Sequence, residues 1–230
     1  MNKKLEEFNN YLKNKKVAII GLGVSNLPLL DYLTDLECEI TVFSEKKIEH
    51  NISKYNITVY EGAGCLDKLH GYDVIFRSPS CLPTRKELVS AKEEGSYITT
   101  EVEEVLKLAP CKKIAVTGSD GKTTTTTLIN EILKCNGYRT FLGGNIGTPL
   151  FTSIKDMTKD DIVVLELSSF QLMGMTISPD IAVITNISPN HLDIHKDYNE
   201  YIDAKKNIYK YQNEDGILVV NIDNEITKDF

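Results

Sequence analysis

No stretch of this sequence is both apolar and long enough to span a bilayer. The start, MNKKLEEFNNYLKNKK, is charged where a leader would carry an apolar run and a cleavage site. Positive charge is scarce as well: 26 lysines and arginines against 33 aspartates and glutamates leave a net charge of -7. That balance argues against non-specific binding to nucleic acid or to an anionic membrane surface, both of which need clustered cations. Any contact with phosphate must therefore be local. The five cysteines, Cys38, Cys65, Cys81, Cys111 and Cys135, are odd in number and include no CxxC pair, which fits free thiols in a reducing compartment better than a disulfide framework. Internal repeats and low-complexity tracts are absent apart from the threonine run Thr123 to Thr127. The expectation left is a soluble, cytoplasmic globular protein, and 230 residues at 41% hydrophobic content suffice for one large or two ordinary domains.

What is present is an alternation. Short β-branched runs such as KVAIIGLG, EITVFSE, ITVYEG and YDVIFRSPS are interleaved with helix-period stretches such as SNLPLLDYLTDL and TRKELVSAKEEG. A second series starts at Cys111 with KKIAVTG, followed by the helix-like stretch from Lys122 to Cys135, then RTFLGGN, DIVVLELSS, IAVITNIS, YIDAKKNIYKYQ and GILVVNID. Such βαβ alternation predicts parallel sheets flanked by helices. It implies two mononucleotide-type blocks in tandem, with a boundary near residue 100 and a connecting helix and linker from Glu101 to Lys113.

The sharpest signal is TGSDGKTTT. A strand, a glycine turn and a helix follow one another, and the first N–H groups of a helix lack internal partners at the positive end of its dipole, where phosphate binds. Gly118 and Gly121 permit the tight wrap, Ser119 and Asp120 lie between them, Lys122 can reach terminal phosphates, and the Thr123 hydroxyl can ligate magnesium. The loop is shorter than the usual pattern, and Val116 stands where that pattern places its first glycine. The bland alternative is a glycine turn with a solvated lysine. ATP is the guest predicted.

A second glycine element, IIGLGVSNLPLL, follows a strand and precedes a helix, but its third glycine is replaced by Asn26. About twenty residues on, Ser44 and Glu45 occupy the ribose-reading position of a dinucleotide site. Nicotinamide, another nucleotide such as UDP, and a purely structural turn all remain open on these residues. Farther along, IVVLELSSFQL brings Glu166, Ser168, Ser169 and Gln171 to a strand's carboxyl end, where open α/β proteins keep their ligands. ITNISPNHLDIH then supplies Asn186, His191, Asp193 and His195. Glu166 and His191 could share a divalent cation, although magnesium prefers oxygen. A capping or surface role for His191 is the competing reading, and His195 is expected at the surface.

Taken together, TGSDGKTTT, GGNIG (Gly143 to Gly147), LELSSFQL and NISPNHLDIH resemble the Mur ligases, and SSFQL is similar to the branch that adds D-glutamate. The resemblance spans the whole chain. It implies an α/β fold in which residues 1-100 form a Rossmann-like domain and residues 101-230 a P-loop-type ATP-binding domain. GLGVS is similar to the family's N-terminal element, which binds the uridine end of UDP-N-acetylmuramoyl-L-alanine rather than a nicotinamide. The implied function is an ATP-dependent ligase of peptidoglycan synthesis, in which the substrate carboxylate is phosphorylated to an acyl phosphate and the amine of D-glutamate displaces the phosphate.

The resemblance also implies roles for single positions. Gly118, Ser119, Asp120, Gly121, Lys122, Thr123 and Thr124 form the ATP loop. Lys122, His191 and Lys205 are marked as catalytic, and Thr123, Glu166, His191 and Lys205 as the magnesium set, Lys205 through a carbamate on its amine. Lys206 is the adjacent, competing position; from the residues alone, Lys205 reads as an exposed helix lysine. Val24 and Ser25 are placed near the uracil, Glu45 and Lys46 beside the ribose, and Ser78, Pro79, Asn145 and Ser168 along the rest of the UDP-sugar substrate. Asn26 and Ser80 depart from glycines that are common in the family. Because the family has three domains and this sequence stops at VVNIDNEITKDF, the expectation is an incomplete central domain, no C-terminal domain, and no ligation by these 230 residues alone. A nicotinamide dehydrogenase, a folate polyglutamate synthetase and a non-catalytic nucleotide- or UDP-sugar-binding module are the competing classes. Nothing in the sequence reports on oligomeric state.

Overall fold

The computed structural model describes residues 2–189 and 194–230. The chain divides into two compact units, residues 1–104 and 105–230. The first contains α1 (Lys3–Leu12), β1 (Lys16–Ile20), α2 (Asn26–Thr34), β2 (Glu39–Ser44), β3 (Thr58–Glu61), β4 (Val74–Arg77), α3 (Lys86–Glu93) and β5 (Tyr97–Thr99). The division falls within α4 (Glu101–Leu108). The second contains β6 (Lys112–Thr117), α5 (Lys122–Cys135), β7 (Thr140–Gly144), β8 (Ile162–Glu166), α6 (Ser169–Leu172), β9 (Ile181–Ile184), α7 (Tyr198–Lys210) and β10 (Ile217–Val220).

Each unit is built on a five-stranded sheet, in the order β3-β2-β1-β4-β5 in the first and β10-β9-β6-β8-β7 in the second, and every pairing is parallel. The strand sequences explain their places. Parallel strands at the middle of a sheet are covered on both faces and so read as continuous apolar runs. Val17, Ala18 and Ile19 on β1, Val74, Ile75 and Phe76 on β4, and Val163, Val164 and Leu165 on β8 are all fully buried. The margins differ: β3 is mostly exposed and β10 alternates exposed and half-buried residues. In the first unit Phe43 packs between Tyr60 and Tyr72, each ring centroid 5.4 Å away. Each such pair adds about 0.5–1.5 kcal/mol beyond area burial.

Register delivers the chemistry. In the first sheet β1 lies between β2 and β4, so the chain reverses its direction of growth there and opens a crevice at the carboxyl ends of β1 and β4. In the second, β6 is central, Val116 faces Glu166 on one side and Val183 on the other, and Gly144 of β7 faces Glu166. The ends of β6, β7, β8 and β9 therefore meet at a single edge. Helix α1 was not anticipated from its charged sequence; the Asn2 side chain caps it by accepting from the Leu5 N–H at 3.3 Å, and its Leu5 and Leu12 are buried.

Candidate functional site

The loop leaving β6 is braced from β9. Gly118 has φ +152°, and a Cβ there would stand 1.9 Å from Thr185 Oγ1 and 3.1 Å from the Asn186 carbonyl oxygen, so no side chain fits. The Ser119 N–H donates to the Asn186 carbonyl at 2.9 Å, and the Asp120 N–H to Asn186 Oδ1 at 3.0 Å. Thr185 Oγ1 and Asn186 Nδ2 both donate to the Asp120 carbonyl, at 2.6 and 3.0 Å. Ser119 Oγ donates to the Ser188 carbonyl and accepts from the Ser188 N–H, each at 2.9 Å. The loop is thus held open by hydrogen bonds, at a net gain of about 1 kcal/mol apiece. Gly121, at φ +76°, turns the chain into α5; it offers no side-chain cap, and the first turn of α5 carries no acid. That leaves a positive helix end facing outward. Lys122 folds back over the loop and donates from Nζ to the Ser119 carbonyl at 2.8 Å.

Beside the loop lies a buried carboxylate. Glu166, only 1% exposed, accepts from Thr123 Oγ1 at Oε2 (2.7 Å) and from Asn145 Nδ2 at Oε1 (2.8 Å). The Asn145 N–H also donates to the Glu166 carbonyl at 2.8 Å, and a Cβ on Gly144 would meet that same oxygen at 2.1 Å, so the Gly-Gly-Asn backbone passes close against β8. Three segments far apart in sequence thereby converge on one acid.

Lys205 comes from the other side. On α7, Tyr201, Ala204, Lys205 and Ile208 form the buried stripe, and Lys205 is 2% exposed. Its Nζ donates to the Gly118 carbonyl at 2.8 Å and to Thr117 Oγ1 at 3.3 Å, and lies 4.7 Å from the Tyr201 ring centroid. Burial, aided by the neighbouring Lys122 cation, pulls its pKa down from 10.5 to about 7. The neighbouring Lys206 is a surface residue paired with Asp203 at 3.7 Å. The expectation of an exposed lysine drawn from the residues alone is therefore corrected: position 205 belongs to the inward stripe of its helix.

His195 is a second correction. Expected at the surface, it is 3% exposed, stacked on Phe170 (5.1 Å between centroids, 7° between planes) and edge-on to Tyr201, with Nε2 at 2.9 Å from Ser169 Oγ. Aromatic packing between α6 and α7 draws it in. Ser168 is the N-cap of α6 in a reciprocal capping box with Gln171. The assignments at His191 and Asp193 fall outside the described residues. Among the described residues no cluster of three or more His, Cys, Asp or Glu side chains could hold a metal.

In the first unit, the crevice between β1 and β4 opens into a cleft of about 480 Å³ whose lining includes Gly21, Gly23, Glu45, Lys46, Ser78 and Cys81. Of the residues expected there, Val24, Ser25 and Pro79 do not line it; Val24 is 79% exposed. Asn26, the departure from glycine, is buried and donates from Nδ2 to the carbonyls of Ile20 and Gly21 at 3.2 and 2.9 Å, tying the turn to its own strand. Burial pushes the Cys81 thiol up to about 11, so it stays protonated.

Comparison with known proteins adds to this geometry. Residues 116–230, half of the chain, match the family model described as Mur ligase middle domain. The chain belongs to the Mur ligase family. It is 53% identical over 233 residues to the UDP-N-acetylmuramoylalanine--D-glutamate ligase of Clostridium botulinum (strain Loch Maree / Type A3), and 54% identical over 234 residues to that of Clostridium tetani. Each alignment covers 99% of this chain but 51% of the relative, so the chain spans about half the length of the curated relatives it matches. The fold is shared with crystal structures of UDP-N-acetylmuramate-alanine ligase from Thermotoga maritima (TM-score 0.53, 22% identity, covering 94% of this chain and 51% of that one). It is shared also with UDP-N-acetylmuramate:L-alanyl-gamma-D-glutamyl-meso-diaminopimelate ligase from Neisseria meningitides (TM-score 0.58, 20% identity, covering 94% and 74%).

Sequence reasoning about this Mur ligase chain missed the brace formed by Thr185, Asn186 and Ser188. It also missed Tyr201, whose hydroxyl shares a hydrogen bond with Ser119 Oγ at 2.9 Å. A signal for the inward face of α7 was present in the spacing of Tyr201, Ala204, Lys205 and Ile208, which is that of an apolar helix stripe carrying one lysine.

Proposed function

We propose that this chain forms the UDP-substrate and ATP sites of a ligase that joins D-glutamate to UDP-N-acetylmuramoyl-L-alanine. The observation that carries the reading is the Thr123–Glu166–Asn145 knot set beside the glycine loop and the open end of α5. The residues fit the groups the reaction needs. Backbone N–H groups at the start of α5 and the Lys122 ammonium suit the β- and γ-phosphates of ATP. The Thr123 hydroxyl and Glu166 carboxylate are hard oxygen donors of the kind magnesium takes alongside water and phosphate. Magnesium, when bound there, offsets the charge of the phosphates.

The chain's own residues then have separate tasks. Lys122, released from the Ser119 carbonyl, neutralises the transferring phosphoryl group as the substrate carboxylate approaches, which lowers the repulsion between two anions. Asn145 and Ser168 are the residues assigned to the part of the substrate that carries this carboxylate. The ATP γ-phosphoryl group passes to the carboxylate; the amine of D-glutamate then attacks the acyl carbon, forming the amide and expelling phosphate. Lys205, with a pKa of about 7, presents a substantial neutral fraction at neutral pH. A neutral amine adds carbon dioxide to give a carbamate and a proton, turning a buried cation into an oxygen donor for the cation site. In the first unit, the cleft lined by Gly21, Gly23, Glu45 and Lys46 is assigned to the nucleotide end of the substrate, the glycines to its diphosphate and Glu45 and Lys46 to its ribose.

Calorimetric titration of the chain with magnesium–ATP and, separately, with UDP-N-acetylmuramoyl-L-alanine tests the reading. Saturable heat is expected from both ligands; a folded chain that binds neither refutes it.

A further inference from the structure

Glu45, which lines the first-unit cleft, is paired with an arginine outside that lining to which the reading above gives no role. Both carboxylate oxygens of Glu45 are engaged by Arg85, with Nη1 donating to Oε2 at 2.7 Å and Nη2 to Oε1 at 3.0 Å. Arg85 is 40 residues away in sequence, at the N-cap of α3. Its remaining edge is anchored: Nε donates to Glu87 Oε2 at 3.3 Å, and the Glu87 side chain is only 12% exposed. The guanidinium is therefore fixed at its back and presents its fork to Glu45.

This geometry matters because of where Glu45 sits. It begins an exposed loop after β2, in which Lys46 and Lys47 are exposed too, and its own side chain is 45% exposed. A lone glutamate in such a loop would sample several rotamers. A bidentate guanidinium sets both the position and the plane of the carboxylate. Each carboxylate oxygen retains a further acceptor site, so the clamped acid can still receive two donors. Two neighbouring hydroxyls of a ribose are donors of that kind. The clamp also has an electrostatic consequence: the cleft lining sets Glu45 and Glu49 against Lys46 and Lys47, and pairing Glu45 with Arg85 tips that balance toward an anionic diphosphate.

We propose that Arg85 is the positioning residue of this cleft's nucleoside end, holding Glu45 to accept the ribose hydroxyls and cancelling its charge so that a diphosphate can lie alongside. The inference rests on reading the cleft as the UDP-substrate site. The resemblance marked Ser78 and Pro79 on the β4–α3 segment but not Arg85 at its far end, since Arg85 acts through Glu45 of the neighbouring β2 loop rather than within the motif.

The test compares UDP with 2′-deoxyuridine 5′-diphosphate by calorimetry on the chain and on its Arg85→Met and Arg85→Lys variants. The unaltered chain is expected to prefer UDP by about ten-fold, the size of one hydrogen bond to a charged group. Arg85→Met should bring that ratio close to one and weaken both ligands. Arg85→Lys, which keeps the charge and loses the fork, should recover affinity for the deoxy nucleotide without recovering the preference for ribose. A purely structural role for Arg85 would weaken both nucleotides equally, so an unchanged ratio in a folded Arg85→Met variant overturns the proposal. If that variant does not fold, Glu45→Gln takes its place: loss of the ribose preference supports the clamp, and its retention overturns it. Absence of UDP binding by the unaltered chain is a different failure, which removes the cleft reading and the proposal with it.

Discussion

Replacing Glu166 with glutamine separates two roles that a buried acid can have. The substitution is isosteric, and both neighbours of Glu166 can still hydrogen-bond to an amide: Asn145 Nδ2 donates to the amide oxygen, and Thr123 Oγ1 can turn to accept from the amide nitrogen. Two charge-assisted bonds become neutral ones, at a cost of about 1 kcal/mol each. Against that, a carboxylate only 1% exposed no longer has to be kept out of water, a penalty of several kcal/mol. The folded chain without ligand should therefore melt at or above the temperature of the unaltered chain. Binding should move the other way. A unit charge about 4 Å from a cation at an effective dielectric of about 20 contributes about 4 kcal/mol, so affinity for magnesium–ATP should fall by at least about a hundred-fold. Titrating ATP with magnesium and again with a chelator isolates the term: magnesium should tighten binding to the unaltered chain and do far less for Glu166→Gln. If the variant binds magnesium–ATP as tightly as the parent, Glu166 is not a cation ligand, and the reading of the knot is wrong.

Three further outcomes follow from the same structure. Lys205 has a folded-state pKa of about 7 against an ordinary 10.5, so between those values the unfolded chain binds the extra proton. Stability measured by urea unfolding in carbon-dioxide-free buffer should accordingly rise with pH from about 7 to about 10, by up to about 1.4 kcal/mol per pH unit, and Lys205→Met should flatten that slope; a parent chain with no slope contradicts the burial argument. Gly118→Ala forces a Cβ within 1.9 Å of Thr185 Oγ1 and should destabilise the second unit by about 1–3 kcal/mol while abolishing ATP binding; wild-type affinity would show that the loop is not held against Thr185. Asn26→Ala removes both donors to the Ile20 and Gly21 carbonyls and should cost about 1–3 kcal/mol of stability, with weaker UDP binding as a secondary effect; an unchanged denaturation midpoint would show that the turn does not depend on them.

Much of this molecule is local and was therefore readable from its residues. The βαβ alternation, the apolar runs of β1, β4 and β8, and the strand–glycine–helix order around Gly118 and Lys122 each follow from a few consecutive side chains and the period they impose. The family likeness was carried by short contiguous motifs for the same reason. What the residues could not disclose was anything that depends on partners distant in sequence. Lys205 reads as a solvated lysine until α7 is laid against the loop after β6 and its amine loses water. His195 looks like a surface residue until Phe170 and Tyr201 close around it. Asn26 and Arg85 look like a defect in a motif and an ordinary surface cation, and become a tie and a clamp once β1, β2 and β4 stand side by side. Period and turn chemistry act over a few residues and need only the chain itself, whereas desolvation and ion pairing act through space, and parallel sheets bring together groups separated by tens of residues.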